Sequence, residues 1–206
     1  MANKDAPFGL RPIGNTVGSS DFQMTEYLIP DNEATSIFQG DPVEIDDNNA
    51  GFIAVQEAVT NVDNIGVFNG CLIDSDPSTG KPKFSNFYSQ TNITQGKIRG
   101  FVFDNPYQRF LIQGDSATNS AQTDVGKVAD TVATHSGSTI TGISGIELDV
   151  SDLAATDGQL RVTGFTGDPE NNELGTTHTN YVVFFNEHAY NPVSYTHLRA
   201  HETQFH

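Results

Sequence analysis

Apolar positions in this chain fall in short runs separated by turn-forming residues. Residues 24–29 end at Pro30, residues 43–45 follow Gly40-Asp41-Pro42, and residues 52–55 follow the turn cluster of residues 46–51. Further runs occupy residues 65–73, 84–88, 98–103 and 110–112. Each is rich in β-branched or aromatic residues and bounded by Gly, Pro, Asn or Asp, which predicts strands. Residues 160–165 alternate apolar and polar, as a half-buried strand does, and residues 181–185 form a continuous apolar run, read as a strand buried on both faces. Residues 124–133 are ambiguous. Val125, Val128, Ala129 and Val132 have helical spacing, but Gly126 and three valines favour strand or a single turn. Residues 148–150 read as a short strand and 151–155 as a helical turn. The fold class predicted is all-β: a compact barrel or sandwich of short strands with little helix.

The two ends differ from this body. Residues 1–20 read as an extended arm, because Pro7, Pro12, Gly9, Gly14 and Gly18 interrupt regular structure. Yet Phe8, Leu10, Ile13 and Val17 are apolar, unlike a disordered tail. Such an arm either packs along its own domain or lays these side chains on a partner. Residues 21–192 form the body, with a division into two lobes near Gly114 left open. Residues 193–206 hold three of the six histidines and resemble a translated sequencing-adapter read-through. They are set apart from the fold, which puts the native end near Asn191.

Charge narrows the function. Lys and Arg total 10 against 26 Asp and Glu, giving a net charge of −16. Nucleic-acid binding relies on clustered cations against phosphate, so a nucleic-acid partner is not expected. The same balance argues against a polybasic membrane contact. The first seven residues lack the apolar core of a signal peptide, and no run approaches the length of a membrane helix. The lone Cys71 lies in an apolar run and reads as a small core residue.

Motifs for chemistry are sparse. His197 and His201 stand four apart without the zincin pattern, and His135, His178 and His188 are isolated along the chain. The turn at residues 46–51 lacks the alternation and the twelfth-position Glu of a calcium loop. Gly142-Ile143-Ser144-Gly145 is one residue short of a nucleophile elbow, and no Walker loop occurs. The reading is therefore not an enzyme, with no catalytic residue, no metal ligand set and no cofactor assigned.

Several segments carry a resemblance. Residues 1–12, Met-Ala-Asn-Lys-Asp-Ala-Pro-Phe-Gly-Leu-Arg-Pro, are similar to the start of a group of tailed-phage structural proteins, commonly encoded beside the major capsid protein in marine phage genomes. Gly40-Asp41-Pro42-Val43, residues 66–71, 80–85, 110–115, 124–127, 144–149 and 182–188 resemble the same group in the same order, so the resemblance spans roughly residues 1 to 190. It implies a capsid decoration, or cement, protein on the outer surface of the virion, made in the host bacterial cytoplasm. The implied partners are the phage major capsid protein and the protein itself, as a homotrimer. An apolar arm that orders on binding suits such a role. Pro7, Phe8, Leu10, Arg11, Pro12, Ile13 and Val17 are the expected capsid-binding residues, with Arg11 pairing a capsid carboxylate. A head fibre or tail adhesin module binding host glycans is the alternative, and a hydrolase built on paired carboxylates is the third reading.

Overall fold

The computed structural model describes residues 3–16, 22–47, 49–56, 64–89, 97–156 and 158–190. Thirteen strands lie among them. In chain order these begin with β1 (Arg11–Asn15), β2 (Thr25–Ile29), β3 (Pro42–Ile45), β4 (Ile53–Val55), β5 (Asn64–Ile73), β6 (Lys83–Ser85) and β7 (Ile98–Phe103). They continue with β8 (Gln108–Gln113), β9 (Val128–Ala129), β10 (Thr131–Val132), β11 (Glu147–Leu148), β12 (Leu160–Phe165) and β13 (Asn180–Phe185). Helical structure among the described residues is limited to single 3₁₀ turns at Gln122–Asp124 and Val150–Asp152. The fold is all-β, and the ambiguous stretch at 124–133 resolves into the end of one turn followed by β9 and β10.

The strands form two main antiparallel sheets. One runs β2-β7-β5-β3-β4, with β6 added to β5, and the other runs β1-β8-β13-β12-β9. The first sheet curls round until its edges meet, for Leu28 of β2 bridges Phe52 beside β4. Strand β5 explains why the two sheets make one body. Successive strand residues point to opposite faces, so Phe68 packs with Ile29, Ile53 and Val102 inside the curled sheet. Its neighbour Val67 packs with Leu10, Phe110 and Tyr181 against the second sheet. Val102 and Phe103 of β7 divide in the same way. The chain passes from one sheet to the other between Phe103 and Gln108, somewhat before Gly114.

Over residues 3–16 the opening segment packs along its own body, one of the two courses its apolar residues left open. Residues 11–15 form β1, paired with β8, despite Pro12 and Gly14. Pro is tolerated because β1 is an edge strand, and the register shifts between Pro12 and Gly14, where Gly14 supplies a φ of 136°. Leu10 is buried in the core of the second sheet. The expectation that β13 is buried on both faces needs correction. Tyr181, Val183 and Phe185 are fully buried, but Val182 and Phe184 on the other face are only half-buried.

Candidate functional site

Two places on this frame gather side chains able to act on a partner or ligand. The first is the face built by the opening segment. The chain crosses the body here in close contact, with the Leu10 amide donating to the Gly40 carbonyl at 2.9 Å. Gly9 takes a φ of +69°, and a Cβ there would stand 2.7 Å from the Gly40 oxygen and 2.6 Å from Ser144 Cβ, so only glycine allows the crossing. Beside the crossing lies a cleft of about 220 Å³, lined by Phe8, Arg11, Pro12, Asn69, Phe103 and Ile143 among others. The Arg11 guanidinium sits 4.4 Å over the Phe8 ring. This cation–π contact holds an exposed cation in place on a strongly acidic protein.

The expected capsid-binding residues thus divide. Phe8, Arg11 and Pro12 line the cleft, and Ile13 is exposed on β1. Pro7 is half-buried just before them. Leu10 is 2 % exposed and packs in the core of the second sheet. Val17 lies outside the described residues. Ile143, at 38 % exposure, joins the face from a distant loop whose tip carries the almost fully exposed Ile140.

The second place is a cluster of two carboxylates and two imidazoles. Asp5 is set by its neighbours. The Lys4 amide donates to Asn171 Oδ1 at 2.8 Å, the Ala6 amide donates to Gln113 Oε1 at 2.9 Å, and the Lys4 carbonyl accepts from Asn171 Nδ2 and Gln113 Nε2. Glu147 comes from β11 and His178 from the loop before β13. His135 follows β10 in a loop that lies close on Gly145, where a Cβ would stand 2.4 Å from the His135 carbonyl oxygen. His178 Nδ1 is 3.8 Å from Glu147 Oε1 and 3.9 Å from Asp5 Oδ1. His135 Nδ1 is 3.4 Å from Glu147 Oε2, and its Nε2 is 3.6 Å from Asp5 Oδ2. Thr134 Oγ1 donates to Glu147 Oε2. Burial pushes the Glu147 carboxyl upward, Asp5 pushes it further the same way, and the two imidazoles act against them. His178 adopts a left-handed backbone, with φ at 57°, which is uncommon outside glycine.

His135 and His178 are isolated along the chain but meet in space, together with two carboxylates that sequence spacing does not connect. His188 is different. It packs edge-on against Phe185 and accepts from the Tyr190 amide through Nδ1, as a buried hydrogen-bonded histidine. The turn at Asp46 is closed locally, with Asn49 donating to its carboxylate through both the backbone amide and Nδ2. No described helix is long and apolar enough to cross a membrane. Comparison of the chain with protein-family models, with curated proteins and with solved structures gives no match.

Proposed function

We propose that this protein is a structural subunit of a tailed-phage head, which decorates the outer capsid surface and clamps neighbouring major capsid subunits. The face carrying Phe8, Arg11, Pro12, Ile13 and Ile143 makes the contact. The observation that supports this most is the cleft beside the opening segment, where a fixed cation and part-exposed apolar side chains adjoin. The same segment begins the sequence resemblance to decoration proteins. An apolar patch with one charged anchor suits a protein surface better than a small substrate.

In this reading the clamp is largely formed before binding. Residues 3–16 already pack on the body, so docking avoids much of the ordering cost that a free arm would incur. Arg11 pairs a capsid carboxylate, and assembly as a homotrimer at three-fold positions multiplies the contacts by avidity. Copelleting of the full chain with expanded heads of the phage that carries its gene tests the face. The double substitution Arg11→Glu with Ile13→Asp is expected to weaken binding about thirtyfold, the scale set by losing an interface hot spot. Phe84→Ser, on an exposed position of β6, is expected to bind as the parent does. Undiminished binding by the Arg11/Ile13 variant would refute the proposed face.

A further inference from the structure

The geometry points to a divalent transition-metal site, suited to zinc, formed by Asp5, Glu147 and His178 with His135 at its rim. The ligand atoms of Asp5, Glu147 and His178 all lie within 4.8 Å of one another. A tetrahedral zinc ion holds nitrogen and oxygen ligands at about 2.0–2.2 Å, which places neighbouring ligand atoms about 3.3–3.6 Å apart. His178 Nδ1 lies 3.8 Å from Glu147 Oε1 and 3.9 Å from Asp5 Oδ1. These separations are too long for hydrogen bonds. They are close to the spacing of atoms that share one ion.

The burial of Glu147 supplies an independent reason. The residue is 1 % exposed, and its Oε1 is buried with no hydrogen-bond partner. His178 Nδ1, which faces it, is buried without a partner as well. A carboxylate oxygen removed from water and given no donor is costly, and a cation between it and the imidazole removes that cost. Glu147 Oε2 is already engaged by Thr134 and held toward His135. That leaves Oε1 as the ligand atom and makes Thr134 the group that orients it, an arrangement common behind metal ligands. Mixed imidazole and carboxylate donors favour zinc over calcium or magnesium, which prefer oxygen throughout. His135, 46 % exposed at its side chain, leaves the fourth position to itself or to water.

The consequence is mechanical. Asp5 belongs to the opening segment, Glu147 to β11 and His178 to the loop before β13. One ion therefore ties that segment to two distant parts of the body. This inference does not depend on the capsid reading.

The test uses the full chain, stripped with a chelator and titrated with zinc by calorimetry, with thermal unfolding followed in parallel. One zinc per chain and a raised melting temperature are expected. Asp5→Asn, at an exposed position, is expected to weaken binding at least about tenfold while leaving the apo fold intact. Glu147→Gln and His178→Gln are expected to abolish binding. Cobalt substitution provides a second readout, a visible spectrum of tetrahedral character without a thiolate charge-transfer band, lost in His178→Gln. Because the chain also carries His197, His201 and His206, a variant with all three changed to Ala must keep the site. Absence of zinc binding, or binding lost in that tail variant and kept in Asp5→Asn and His178→Gln, would overturn the assignment.

Discussion

Asp41 shows how one residue's chemistry is fixed by position. It is 4 % exposed, accepts from the Phe38 amide at 2.7 Å through Oδ2, and burial pushes its carboxyl from 3.8 up to about 6 despite a further hydrogen bond from Ser144. A carboxyl raised on folding favours the native state most when protonated. Its contribution is complete below its unfolded value and is lost as pH rises through about 6. Asp41→Asn keeps the acceptor and removes the titration. The stability of this variant relative to the parent is therefore expected to rise by up to about 3 kcal/mol between about pH 4 and pH 7, measured by urea unfolding. A difference constant with pH would contradict this account of Asp41. At this scale the sequence was informative where a residue's neighbours along the chain decide its fate. Cys71, within an apolar run, is indeed buried, with its thiol pushed up to about 12. It was uninformative for Asp5, His135, Glu147 and His178, because no local spacing encodes a meeting of residues that far apart.

Among the elements, β5 carries the most consequence, because both of its faces are buried in different cores. Gly66 within it takes a φ of +147°, and a Cβ there would stand 2.1 Å from the Phe103 carbonyl oxygen. Gly66→Ala must move β7 or β5 and is expected to cost roughly 2–4 kcal/mol in urea unfolding. A loss below about 0.5 kcal/mol, the level of an ordinary surface change, would contradict this packing. Most strands were legible because turn formers bound them, and residues 160–165 coincide with β12. Strand β1 was not legible. Its Pro and Gly read as interruptions, and what makes them acceptable is an edge position and a bulge, which only pairing with β8 reveals. The pairing of β1 with a strand almost a hundred residues later also hid the fact that the first and last parts of the chain share one sheet.

The whole molecule is an acidic all-β body whose strand β5 contributes to both cores and whose opening segment is already docked. A body of this kind suits a subunit that stands on a shell and adds contacts between its neighbours. Decoration that stabilises a mature head also requires preference for the expanded lattice, since equal affinity for both lattice states shifts nothing. The most direct measurement is therefore a binding isotherm of the full chain against expanded heads and against procapsids of the same phage, read by copelleting. The account predicts saturable binding to expanded heads at a fixed ratio to major capsid subunits, and much weaker binding to procapsids. A folded protein that does not pellet with expanded heads would contradict it.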